Sequence, residues 1–355
     1  MNPSLRKPKK YELEQSPLYK LSSKRKLAEI LQLDLSSLGS TELAKLTSQY
    51  RIFVDRDTRR FITEPVGALL AVHKRLLRLF GRVLPREYVH SATKKRSYKT
   101  NAEQHVGNQN VLKIDIKKFF PSVRFCFVHS FFANSLQCSP DIATILAKLC
   151  TVQTRKHGVH LPTGSCISPI LSFLANRPLF DRISHLCRLE SCVFTLYVDD
   201  VTVSGPNASR ALLTKIAMEI HKTGYGYHKI KTYQGVPAMV TGLIVTDGRI
   251  ILPHARSQKI REYADALDCS VGGPIREKLL ASLVGRLSEA EQIDAKYRKA
   301  RQDVLRRYAV DWGRVVARRV ASAKHQVRKN LPVNQPSTPL LDQQGGIVSS
   351  PVASA

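Results

Sequence analysis

Three acids stand where apolar strands would ordinarily exclude them. Asp115 interrupts Val111-Leu112-Lys113-Ile114-Asp115-Ile116. Asp199 and Asp200 lie between Val193-Phe194-Thr195-Leu196-Tyr197 and Val201-Thr202-Val203-Ser204. Adjacent carboxylates on a tight turn repel one another, and burial penalises their charged form. Solvated turn acids are one solution; a shared divalent cation is the other. Oxygen ligands from two strands suit Mg²⁺, which keeps waters and binds substrate phosphates. Two such ions, roughly 3.5–4 Å apart, stabilise the attacking and leaving oxygens of a phosphoryl transfer.

The acids need strands to carry them. Val111–Ile116 reads as a buried strand. Val193–Tyr197 and Val201–Ser204 read as a hairpin with Val198-Asp199-Asp200 at its tip. Upstream, Tyr50–Val54 and Arg60–Ile62 flank the polar turn Asp55-Arg56-Asp57-Thr58 as a second hairpin, closed by Pro65. Leu69, Leu70, Val72, His73, Leu76, Leu77 and Phe80 recur at helical spacing, and Gly81 ends that helix. Helices are predicted over 126–150, 168–190 and 208–223. Lys231 falls in a Gly/Tyr-rich loop. Ala238–Val245 and Gly248–Leu252 form a further hairpin on the turn signal Asp247-Gly248. From about residue 255 the chain is helical again, with Ile293, Tyr297, Ala300, Val304, Tyr308 and Trp312 on one stripe among arginines.

Charge narrows the partner. Among 355 residues, 56 Lys and Arg face 28 Asp and Glu, a net charge of +28, while 43% are hydrophobic, enough for a sizeable core. Such an excess calls for a polyanion. No stretch approaches the ~18 apolar residues of a membrane span, so no membrane is expected and nucleic acid is favoured. Met1–Lys10 is basic but leads into Tyr11-Glu12-Leu13-Glu14, so no secretory signal is expected. The seven cysteines are odd in number and never spaced C-x-x-C. Neither a disulfide framework nor a zinc site is supported, and reduced thiols in a cytoplasmic protein are expected.

Asp115 sits in Lys113-Ile114-Asp115-Ile116-Lys117-Lys118-Phe119-Phe120-Pro121. Leu161-Pro162-Thr163-Gly164 follows, then Tyr197-Val198-Asp199-Asp200, Lys231 and Val240-Thr241-Gly242. This order resembles the palm of a reverse transcriptase over roughly residues 25–320. Asn101-Ala102-Glu103-Gln104-His105 and Val240-Thr241-Gly242 match the N-A-x-x-H and V-T-G signatures of bacterial retron reverse transcriptases. The Pro, Ser, Gln and Gly of 331–355 read as a disordered tail. The resemblance implies an α+β right-hand polymerase with fingers (1–110), a palm built on an antiparallel sheet (111–253) and a helical thumb (254–330). It implies Mg²⁺-dependent, RNA-templated DNA synthesis on a structured noncoding RNA. Priming would come from a guanosine 2′-hydroxyl, giving branched msDNA. dNTPs would be the substrates, and a separate defence effector protein would act beside the enzyme.

It also implies roles. Asp115 and Asp199 would hold two Mg²⁺ ions, with Asp200 in support and the backbone carbonyl of Ile116 as a further ligand. Phe120 would be a steric gate against ribose; either it or Phe119 belongs to the core. Arg60 would clamp the triphosphate, with Arg51 and Arg59 as weaker candidates. Gly164 would let backbone approach nucleotide or template. Thr163 stands where the family has glutamine, which leaves that nucleotide contact open. Val198 stands where these enzymes more often have alanine. Lys231 would protonate the leaving pyrophosphate, with Lys229 close by. Asn101 and His105, beside Lys94, Lys95 and Arg96, would contact RNA or position the priming guanosine. Arg298 and Arg301 would track duplex phosphates on the thumb. Another bacterial reverse transcriptase, or a non-catalytic RNA-binding subunit with the same shell, would share much of this pattern.

Overall fold

A computed structural model describes the backbone of residues 10–329 and the side chains of residues 10–322. The expected tail, 331–355, lies outside the described residues. The chain divides into two compact units, one running to Ser257 and one from Gln258.

The first unit is built around an antiparallel sheet. Its strands are β1 (Tyr50–Val54), β2 (Phe61–Pro65), β3 (Asn110–Ile116), β4 (Val152–Thr154), β5 (Gly158–His160), β6 (Val193–Tyr197), β7 (Asp200–Ser204), β8 (Tyr227–Gln234), β9 (Ala238–Val240), β10 (Leu243–Val245) and β11 (Ile250–Ile251). The central sheet has the order β6-β7-β3-β8, all antiparallel. Alternation sorts its two faces. Phe194 and Leu196, Val201 and Val203, and Leu112 and Ile114 are all buried and stand in register on one face. Thr195, Tyr197, Asp200, Thr202, Ser204, Lys113 and Asp115 occupy the other. The sequence thus commits one face to the core and leaves a polar face for chemistry.

Helices close the apolar side. Arg177–Leu189 buries Leu179, Phe180, Ile183 and Cys187 and packs on β6. Arg210–Lys222 packs beside it, burying Leu212, Leu213, Ile216 and Ile220. Ser209 caps its start by accepting from the Leu212 N–H. Each fully buried aliphatic side chain stabilises by about 1.5–3 kcal/mol.

Several elements differ from the sequence expectation. The segment around Lys231 is a strand, β8, not a loop. Almost every residue of β8 is exposed; it is an edge strand, paired among the described residues with β3 alone, and no apolar alternation marks it. Ala238–Val245 is two strands rather than one. Thr241 (φ +44°) and Gly242 (φ +79°) turn the chain between β9 and β10. Phe119–Ser122, to which the sequence assigns no element, is a helical turn entered through Lys118 at φ +48°. The predicted helix over 168–190 is two helices, Ser168–Ala175 and Arg177–Leu189, divided at Asn176.

The second unit is helical. Pro274–Ile293 buries Leu280, Leu283, Val284, Leu287 and Ala290, and Tyr297–Arg307 and Ala309–Lys329 follow it. Among the described residues no helix is long and apolar enough to cross a membrane. All seven cysteines are free.

Candidate active site

The acids meet at one end of the central sheet. Asp115 stands directly opposite Asp200 across β3 and β7. Asp199 immediately precedes β7, and its carbonyl accepts the Ile116 N–H at 3.0 Å, tying the two acid-bearing segments together. A bulge against β8 falls between Asp115 and Ile116, the kind of irregularity that re-aims a side chain at a site. Val198 holds φ +61°, costly for a β-branched residue, and the Ser91 hydroxyl accepts its N–H at 3.0 Å.

Electrostatics separates the acids. Burial pushes the Asp199 carboxyl up to about 6; the charges of Asp115 and Asp200 add to the rise, while its own backbone hydrogen bond and Arg60 oppose it. Burial also raises Asp200, but Lys113 counters with an ion pair at 3.2 Å. Among the described residues no three His, Cys, Asp or Glu side chains converge as a ready metal cluster. The arrangement is Asp115 near Asp199, with Asp200 already partnered. Among the described residues Asp199 has no ion-pair partner, and it suffers like charge in a desolvated position, a combination that a divalent cation relieves. The donor set therefore fits a hard cation.

The hairpin β1–β2 docks onto the Leu161-Pro162-Thr163-Gly164 loop. The fully buried Thr63 accepts the Thr163 N–H on its hydroxyl at 2.9 Å and the Gly164 N–H on its carbonyl at 3.1 Å. A Cβ at Gly164 would fall 2.8 Å from Ile62 Cγ2, 3.0 Å from the Thr63 oxygen and 3.2 Å from Glu64 Cα. The close approach that the structure shows at Gly164 is to β2, on the side where a Cβ would point. Below the loop, His73 is fully buried. Its Nδ1 bonds the Ser165 hydroxyl at 2.6 Å and its Nε2 the Leu149 carbonyl at 2.7 Å, and burial drops its pKa to about 4. The docked hairpin brings the Arg60 charge within electrostatic range of Asp199. Arg51 is instead paired with Glu64.

Phe119 is core, against Phe180 and Tyr225, while Phe120 is half-buried beside it. A helical turn, not a strand, carries them, so the two rings stay in contact, 6.1 Å between centroids, rather than facing opposite ways. Lys229 stands opposite Asp115 and Lys231 opposite Lys113. The sequence reading favoured Lys231; strand register puts Lys229 beside the acid.

Of the other expected nucleic-acid contacts, His105, Arg96, Arg298 and Arg301 are engaged within the protein. His105 is fully buried, with Nδ1 on Ser204 Oγ and Nε2 on Thr195 Oγ1, both at 2.7 Å. Asn101 is fully buried too, and its amide finds no hydrogen-bond partner among the described residues. Arg96 donates to the carbonyls of Arg86, Glu87 and Val89 at 2.6–2.8 Å, closing a loop. Arg298 and Arg301 both pair with Glu291, at 2.9 and 2.6 Å. Lys94 and Lys95 remain exposed. The sequence reading missed Lys113, Thr63 and Ser91. Only Lys113 carried a signal, as a charge two residues from Asp115 and hence on its face.

A family model described as reverse transcriptase (RNA-dependent DNA polymerase) matches residues 20–237. The chain is 33% identical to the retron Mx65 reverse transcriptase of Myxococcus xanthus, over 52% of this chain and 48% of the relative. It is 29% identical to the retron Se72 reverse transcriptase of Salmonella heidelberg, over 49% and 45%. With the retron Ec86 reverse transcriptase of Escherichia coli it shares 26% identity over 67% and 72%. It spans about half the length of the first two of these relatives.

Proposed function

The chain belongs to the reverse transcriptase family, and from that premise we propose that it is a bacterial retron enzyme that copies a structured noncoding RNA into DNA. The observation that carries this reading is the meeting of Asp115 and Asp199, distant in sequence, at one sheet end under the Arg60 charge.

Asp115, Asp199 and the Ile116 carbonyl would hold two Mg²⁺ ions, with Asp200 as a reserve ligand released from Lys113. When bound, the ions would activate the attacking hydroxyl and neutralise charge on the leaving pyrophosphate. Arg60 binds the triphosphate, its planar fork matching phosphate oxygens. Phe120 excludes a ribose 2′-hydroxyl by clash, so dNTPs are selected. Lys229, in register with Asp115, is better placed than Lys231 to donate a proton to the leaving group. Thr163 has its N–H committed to Thr63, and its hydroxyl is the group left to face nucleotide. Lys94, Lys95 and the basic second unit hold the RNA and its duplex product through phosphates and shape. The working divisions are fingers to residue 110, palm 111–253 and thumb from 254.

The reaction starts on a guanosine 2′-hydroxyl and yields branched msDNA. The protein works in the cytoplasm, beside a separate antiphage effector. Purification from the host, sequencing of bound nucleic acid and digestion with a 2′–5′ debranching enzyme test this. Branched DNA joined to one RNA supports it. Linear DNA on varied templates would indicate another bacterial reverse transcriptase. Retained RNA with no extension by Mg²⁺ and dNTPs would indicate a non-catalytic subunit.

A further inference from the structure

The two signature segments, N-A-x-x-H and V-T-G, are far apart in sequence and touch in the fold. Thr241 Oγ1 donates to the Tyr98 carbonyl at 2.7 Å, at the start of the helix Tyr98–Glu103. The Arg256 guanidinium lies over the Tyr98 ring, 5.5 Å from its centroid. It also closes on Gly242, where a Cβ would come within 2.7 Å of its Nη2. The V-T-G turn therefore grips one end of this helix. At the other end the His105 N–H bonds the Ala102 carbonyl at 3.1 Å.

His105 then reaches the hairpin that bears Asp199 and Asp200. Its ring bonds Thr195 on β6 and Ser204 on β7. A neutral imidazole offers one donor and one acceptor, and two hydroxyls satisfy it in either tautomer. The ring thus cross-links both strands from the catalytic face. A second link runs from Thr100 to His90 Nδ1 at 2.9 Å, and from the His90 N–H to the Leu196 carbonyl at 3.0 Å. The His105 ring nitrogens, Thr241 Oγ1 and His90 Nδ1 are all spent on protein, and His105 and His90 are buried; the buried Asn101 amide in the same helix has no hydrogen-bond partner among the described residues.

We propose that the Tyr98–Glu103 helix with His105 is a brace that fixes the Asp199–Asp200 tip, anchored by Thr241, so that the two signatures form one positioning device rather than two nucleic-acid contacts. This goes beyond the polymerase reading and rests on it for its kinetic test. Misplacing a reacting group by about 1 Å costs up to roughly 100-fold in rate, so a loosened brace lowers turnover on every template alike.

The test uses the full chain with Thr241→Val, which keeps shape and removes the donor, and Thr241→Ser, which restores it. His105→Ala and His105→Gln form the second pair. Extension of oligo(dT) on poly(rA) with dTTP gives kcat and KM; a filter assay gives affinity for the RNA that co-purifies; hydrogen exchange reads the amides of residues 196–203. Thr241→Val and His105→Ala should each lower kcat by about 5- to 100-fold. KM for dTTP and RNA affinity should hold, and exchange at the hairpin tip should quicken. Thr241→Ser should regain most of the rate. The double variant should lose no more than the worse single one, because both break one chain of contacts. Variants that lose RNA affinity yet copy poly(rA) at the parent rate would overturn the proposal. So would unchanged exchange at the tip. If the parent itself makes no DNA, the polymerase reading fails, and the exchange result still decides the brace.

Discussion

Gly164→Ala is a small change with a large expected cost. The new methyl carbon would sit 2.8 Å from Ile62 Cγ2, 3.0 Å from the Thr63 carbonyl oxygen and 3.2 Å from Glu64 Cα. The isoleucine methyl can rotate away. The other two atoms are backbone of β2 and move only if the hairpin moves. Overpacking of this kind costs about 1–3 kcal/mol. In the variant the Gly164 N–H bond to the Thr63 carbonyl, 3.1 Å in the parent, would be weakened as well, and a typical hydrogen bond contributes about 0.5–1.5 kcal/mol. The hairpin carries Arg60, so its displacement should appear in nucleotide use. Single-turnover primer extension with a dNTP titration should show the apparent KM raised roughly 5- to 30-fold, the equivalent of 1–2 kcal/mol, with primer–template affinity unchanged. Gly248→Ala is the control: no heavy atom lies within 4 Å of its added carbon. A Gly164→Ala protein with parental melting temperature and parental KM would refute the docking of β2 on this loop.

Removing the Lys113 ammonium leaves Asp200 partly buried without a counter-ion. Lys113→Met should destabilise by about 1–3 kcal/mol near neutral pH, below the cost of breaking a fully buried pair. The deficit in melting temperature relative to the parent should shrink as pH falls, and partly on adding Mg²⁺. Buried His73 and His105 have pKa values dropped by burial to about 4 and about 3. Their unfolded forms take up protons below about 6.5 while the folded forms do not, so stability is full above that pH. It should decline by up to about 1.4 kcal/mol per pH unit per histidine as pH falls toward 4; denaturant melts from pH 7.5 to 5 measure the slope. Arg60→Ala should raise dNTP KM roughly 10- to 100-fold, the value of a hydrogen bond to a charged group, with an unaltered melting temperature.

The acid-bearing strands were legible because a charge inside an apolar run is conspicuous, and β3, β6 and β7 appear where that pattern put them. β8 was not legible, since an exposed edge strand has no buried side to declare it. For the same reason Lys229 and Lys231 could not be told apart until register set one against Asp115 and the other against Lys113. His105 and Arg96 look like nucleic-acid residues in sequence because their types are shared by binding and by structural work. Only their partners, two hydroxyls and three carbonyls, show where their hydrogen bonds go. Thr63 carried no signal at all, since its role is created by a loop 100 residues away.

In the proposed mechanism Asp115 and Asp199 together hold the metal ions of a DNA polymerase. Asp199→Asn tests it most directly, because the amide keeps the shape and removes the charge. With Mg²⁺, dNTPs and a primed RNA template, the variant should make no DNA above background. It should melt no lower than the parent, since a buried, repelled charge is removed, and keep the co-purifying RNA. DNA synthesis within a few-fold of the parent, by a folded Asp199→Asn protein, would contradict the account.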